Sequence, residues 1–154
     1  MITYYFDASS IVKRYLREPG SRWVVGLMSA PTTNHVTSIE LVTVEVICAL
    51  TRAHRERRIS SGHQERLIAL ALADSRTDIG LLAVSQVVID LATDLATRHP
   101  LRAYDAIHLA TMLDWTNDLA QAGLPAPIFV SADENLLTAA RAEGLTAENP
   151  SEHE

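Results

Sequence analysis

Glu45 is an acid in an apolar setting. It lies inside ELVTVEVICAL (Glu40 to Leu50), where its i±3 and i±4 neighbours are Leu41, Val42, Cys48 and Ala49. A glutamate on an apolar helix face is almost never fully buried without a partner, and without one it takes up a proton or a cation. The plain alternative is that it reaches the helix edge or pairs with an arginine. Glu40 interrupts the same run and rivals it. Three aspartates hold comparable places: Asp7 directly after ITYYF, Asp105 within LRAYDAIHLA, and Asp133 two residues after PIFVS. Each has a structural alternative as a helix cap, since Asp is a preferred N-cap residue. Ser131-Ala-Asp-Glu134 has the S-x-x-E form of a capping box, and Asp105 could pair with Arg102. His108 lies three residues beyond Asp105, a spacing that two metal ligands on one helix face can have. A lone helical histidine is more often a packed or hydrogen-bonded side chain, so it stands outside the first set of candidates.

If Asp7, Glu45, Asp105 and Asp133 converge, their charges need compensation. Carboxylates at about 4 Å repel by on the order of 4 kcal/mol per pair at an effective dielectric near 20. Protons or a divalent cation would relieve this. An all-oxygen donor set that leaves room for water suits magnesium or manganese rather than zinc. A hard cation in an open carboxylate bowl lowers the pKa of a bound water and stabilises a leaving oxygen, which is the chemistry of phosphodiester hydrolysis.

The elements that would position these acids alternate between strand and helix. Strand patterns are expected at Ile2–Phe6, about His35–Thr37, Gly80–Val84 and Pro127–Ser131. Helical spacing is expected after a Ser9 or Ser10 cap up to Pro19-Gly20, through Trp23, Val24, Leu27 and Met28, and over Ile39–Arg55. Further helices are expected over His63–Ala73, from a Ser85 cap to His99, over Tyr104–Ala120 and over Asn135–Glu143. This alternation implies a three-layer α/β/α sandwich around a central parallel sheet. In such sheets function gathers at the carboxyl ends of strands, where Asp7 and Asp133 fall. One domain over residues 1–148 is expected, followed by a loose polar tail over 149–154.

Composition bounds the class. The chain has 154 residues, 47% apolar and 21% charged, which is globular and enough for one core without a staple. The single cysteine, Cys48, forbids an intramolecular disulfide and points to a reducing compartment. MITYYFDASS does not have the form of a signal peptide, and the longest strongly apolar stretch, Ile79 to Ile89, is far short of the roughly 20 residues that span a bilayer. A cytoplasmic location is therefore expected. The net charge of −6 argues against a bulk-cationic nucleic-acid binder. Basic charge is nevertheless locally dense at Arg52, Arg55, Arg57 and Arg58, with Lys13 and Arg14 near Asp7. Each is a possible phosphate contact, or a solvated cation that complements a helix C-terminus.

YYFDASSIVKRYLREPGS, VEVICALTRAHRERRIS, LRAYDAIHLA and FVSADENLLTAARAEGL followed by NP resemble, in that order, a PIN-domain ribonuclease of the VapC toxin type. The resemblance runs nearly end to end. It implies a PIN-like fold and makes Asp7, Glu45, Asp105 and Asp133 the metal-coordinating acids. Ser9 and Ser131 match positions near the site that often carry a small hydroxyl residue, and the register of ALTRAHRERRIS favours Glu45 over Glu40. The glycine usual in the arginine-rich turn is replaced at or near Arg57. The implied activity is a Mg²⁺-dependent endoribonuclease, with Mn²⁺ substituting, that leaves 5′-phosphate and 3′-hydroxyl ends. A cognate VapB-type antitoxin and a homodimer are the implied protein partners, and part of the Trp23–Met28 face could receive one of them. Two other readings stay open: a non-catalytic PIN-like binding module, and an aspartyl-phosphate phosphatase or receiver-like domain. The second requires an acid neighbouring Asp7 and a late lysine, whereas the only lysine is Lys13.

Overall fold

Aromatic and β-branched residues draw the first strand, β1 (Ile2–Phe6), into the middle of the molecule, where Tyr5 and Phe6 are fully buried. The computed structural model describes residues 1–153. β1 is followed by a short helix α1 (Ala8–Ile11), a 3₁₀ turn over Val12–Arg14, and α2 (Ser21–Met28). Then come β2 (Asn34–Ile39), α3 (Val42–Arg55), α4 (Ser61–Thr77) and β3 (Ile79–Leu82). The chain continues through α5 (Gln86–Arg98), α6 (Ala103–Gln121), β4 (Ile128–Val130), α7 (Glu134–Ala142) and β5 (Ala147–Glu148). All strand pairs are parallel and the sheet order is β3-β2-β1-β4-β5. Helices cover both faces, so the expected three-layer α/β/α architecture holds.

The chain first builds outward from β1 to β2 and β3, then returns to the other side of β1 to add β4 and β5. The reversal between β1 and β4 opens a crevice at the carboxyl ends of these strands, the place where open α/β sheets bind ligands. Register brings the strand exits together. Phe6 pairs with Val130, and the Asp7 amide donates to the Val130 carbonyl at 3.1 Å. Asp7 and Ser131 therefore leave the sheet side by side.

Element boundaries moved where hydrogen bonding extends beyond the apolar pattern. β2 runs on to Ile39, which pairs with Leu82, so α3 begins at Val42 rather than Ile39. α4 continues to Thr77, and its buried Asp74 accepts from Arg14 and Tyr15. β5, which the periodicity does not reveal, is two residues long and is held by β4. The C-terminal segment is docked rather than loose. Asn149 and Pro150 are buried, Asn149 donates to Glu134 Oε1 at 2.7 Å, and His153 stacks on Trp23 with ring centroids 4.2 Å apart. Glu154 lies outside the described residues.

Candidate active site

Asp7 caps α1 and faces the crevice at the same time. Its Oδ1 accepts from the Ser10 amide at 3.0 Å, where the expected cap was Ser9 or Ser10. Ser9 instead turns its hydroxyl onto both carboxylate oxygens, at 2.7 and 2.8 Å. Ser131 Oγ, fully buried, donates to Asp7 Oδ2 at 2.7 Å. These donors offset part of the cost of burying the charge, but Asp7 is only 4% exposed. Burial pushes its pKa up, against the lowering by His108, Ser131, Ser9 and the Ser10 amide.

Asp133 enters from the opposite side of the crevice. It is the N-cap of α7, with Oδ1 accepting from the Leu136 amide at 2.9 Å, so Ser131 is not the cap that S-x-x-E suggests. Ser131 Oγ accepts from the Asp133 amide at 3.0 Å, and Ser9 Oγ from the Ala132 amide at 2.9 Å. The two serines thus knit the β1 and β4 exits into one platform. Asp105, in the first turn of α6, accepts from the Arg102 amide at 3.2 Å. Its pKa is raised, first by burial and then, beyond the opposing Arg102 amide bond, by the charges of Asp133 and Asp7. That repulsion is the electrostatic sign that the acids converge.

Glu45 completes the set from α3. Its partner is His108 rather than an arginine, with 2.8 Å between Glu45 Oε2 and Nε2, while Nδ1 lies 3.1 Å from the Tyr5 hydroxyl. His108 is 1% exposed and belongs to the site, outside the set of acids expected from sequence. The available signal was its place one turn beyond Asp105 on the same helix. Glu40 is not at the site: it is exposed on the β2–α3 connection and accepts from the Val84 amide at 3.2 Å.

Asp7, Ser9, Glu45, Asp105, His108 and Asp133 line one cleft of about 600 Å³, with Arg52, Arg102, Tyr104 and Cys48 on its walls. Among the described residues, no three carboxylate, imidazole or thiolate groups draw together tightly enough to hold an ion on protein ligands alone. An open oxygen-donor bowl of this kind fits a cation that keeps much of its water, as Mg²⁺ does, and not a closed zinc site.

The expected basic contacts divide. Arg52 is exposed and lines the cleft, and Arg55 is exposed on the same helix. Arg58 is half-exposed and reaches Glu18 at 3.4 Å. Lys13 and Arg14 are corrections. Lys13 is buried and paired with Glu18 at 3.3 Å, and Arg14 is engaged with the buried Asp74, so neither offers a free cation to a phosphate. Lys13 is also committed against the receiver-like alternative, which needs a lysine late in the chain.

The profile of the PIN domain matches residues 4–142. The chain belongs to the PIN domain family. Known structures share its fold at low identity. VapBC2 from Rickettsia felis, bound to a promoter DNA fragment, aligns with TM-score 0.60 and 14% identity over 96% of this chain and 98% of that one. A toxin–antitoxin complex from Klebsiella pneumoniae aligns with TM-score 0.53 and 16% identity over 96% and 97%. FitAB bound to a DNA fragment aligns with TM-score 0.59 and 16% identity over 100% and 98%. No curated protein sequence matches significantly. The PIN domain here spans the cleft and every acid that lines it. No described helix is long and apolar enough to cross a membrane.

Proposed function

We propose that this PIN domain is a Mg²⁺-dependent endoribonuclease of the VapC toxin type, cytoplasmic and held in check by a cognate antitoxin. One observation carries the reading: four carboxylates from β1, α3, α6 and the β4–α7 connection line a single cleft at the β1/β4 crevice, close enough for Asp7 and Asp133 to raise the pKa of Asp105. When bound there, Mg²⁺ or Mn²⁺ would supply an activated water and charge stabilisation for the leaving oxygen. Asp7, Glu45, Asp105 and Asp133 would hold the hydrated ion, partly through its waters, each carboxylate already accepting from a protein donor that fixes its direction. Ser9 and Ser131 keep Asp7 aimed into the cleft. Arg52 and Arg55 give an otherwise acidic surface a local attraction for the RNA backbone.

The antitoxin is supported by the company of the fold, since the Klebsiella pneumoniae neighbour is a toxin–antitoxin complex; pairing of two copies rests on the sequence resemblance alone. The deciding experiment incubates purified protein with structured RNA in Mg²⁺ or Mn²⁺, in EDTA, and as Asp105→Asn. Cleavage with 5′-phosphate and 3′-hydroxyl ends is expected only for the wild type with metal. Cleavage that persists in EDTA, or in folded Asp105→Asn, overturns the metal mechanism. Co-expression with a small upstream-encoded DNA-binding protein is expected to copurify it and silence the activity.

A further inference from the structure

We propose that His108 is a positioning residue that aims the Glu45 carboxylate into the cleft, through a buried Tyr5–His108–Glu45 chain anchored on the central strand. The inference rests on the metal-dependent reading above. Tyr5 lies on β1, two residues before Asp7, and is fully buried with its ring stacked on Phe129 at 5.6 Å. Its hydroxyl is 3.1 Å from His108 Nδ1. When the Tyr5 O–H donates to Nδ1, the neutral imidazole carries its own proton on Nε2, and that N–H donates to Glu45 Oε2 at 2.8 Å. Glu45 Oε2 is thereby occupied, and Oε1 is the oxygen left for the cleft.

The geometry has a mechanical consequence. Glu45 hangs from α3 on a flexible side chain, whereas Asp7, Asp105 and Asp133 are tied by backbone amides near their own elements. Glu45 receives no backbone donor, so His108 is its only hydrogen-bond restraint among the described residues. Tyr5 in turn fixes the ring and its tautomer. Groups that orient metal-binding side chains typically govern about 10- to 100-fold in metal affinity. A histidine whose role is only to fill the core would leave metal affinity alone.

The test compares full-length wild type with His108→Leu, His108→Gln and Tyr5→Phe. Mn²⁺ binding is read by titration calorimetry, and RNA cleavage by its Mg²⁺ dependence. His108→Leu is expected to weaken Mn²⁺ binding about 10- to 100-fold and to raise the half-saturating Mg²⁺ similarly, with cleavage largely recovered at saturating metal. His108→Gln, which restores an N–H near the Nε2 position, is expected to recover part of the affinity. Tyr5→Phe retains the stacked ring, so it gives a second, milder loss of Mn²⁺ affinity even if His108→Leu fails to fold. If wild type binds Mn²⁺ and these variants bind it equally well, the positioning role is overturned while the nuclease reading stands. Lost cleavage at saturating Mg²⁺ with unchanged Mn²⁺ affinity overturns it as well. If wild type neither binds Mn²⁺ nor cleaves RNA, the nuclease reading fails and this inference fails with it.

Discussion

Asp105 sits beside two other carboxylates and accepts a single backbone hydrogen bond, so its ionisation is uphill in the folded protein. A carboxylate whose folded pKa is raised favours folding below its unfolded pKa, and that contribution is lost as pH rises through the folded value. Metal-free protein should therefore lose stability as pH rises above the ordinary carboxylate range, with Asp7 adding in the same direction. Asp105→Asn keeps an acceptor for the Arg102 amide and removes the charge. Thermal melting without divalent ions should place its Tm a few degrees above wild type at pH 7, with the gap closing near pH 4, about the unperturbed carboxylate value. A lower Tm at pH 7 would refute electrostatic frustration at this site. The sequence showed that Glu45 stood in the wrong surroundings, because residue type and spacing alone define an apolar helix face. It could not show that His108 rather than an arginine would meet it, since the two are 63 positions apart.

Three helices end in the same Schellman geometry. In α6 and α7 the left-handed residue is glycine, Gly123 at φ 70° and Gly144 at φ 88°. In α3 it is Arg57 at φ 59°, with the Arg58 amide bonded to the Ala53 carbonyl at 2.8 Å. The turn thus keeps its form without the glycine that the resemblance associates with it, at the cost of a side chain in a strained region. Arg57→Gly should stabilise the protein by about 1 kcal/mol, after allowing for glycine's greater unfolded entropy. Urea denaturation would check this, and an unchanged midpoint would count against the strain. Gly20 is the opposite case. It stands at φ 85°, and a Cβ there would lie 2.1 Å from the Pro150 carbonyl oxygen. Gly20→Ala should lower Tm and alter the emission of Trp23 by shifting its His153 stack; unchanged melting and emission would exclude this docking. At this scale the sequence left cap and chemistry as alternatives for Asp7 and Asp133. The structure shows both aspartates capping with one oxygen while facing the cleft.

For the molecule as a whole, the net charge of −6 is a poor guide to its ligand, because part of it is gathered in one cleft. A divalent ion that binds only the folded state stabilises it by about 2.7 kcal/mol at 100 times its Kd. Mn²⁺ should therefore raise the wild-type Tm, EDTA should reverse the rise, and Asp105→Asn should show little of it. Equal shifts in wild type and variant would place the ion elsewhere. The sequence by itself determined the alternation of strands and helices, the identity of the acids and their family, because side-chain periodicity and strand-end residues are local properties. Tertiary structure decided which cations are free, Arg52 rather than Lys13 or Arg14, and which glutamate faces the cleft. It also decided that the C-terminal segment docks and that Tyr5, His108 and Glu45 form one chain. The longest of these links depend on a parallel sheet reversing its winding between β1 and β4, which brings Tyr5 to His108 and Asp7 to Ser131 across more than a hundred positions, and the shorter ones still join residues that no local pattern links.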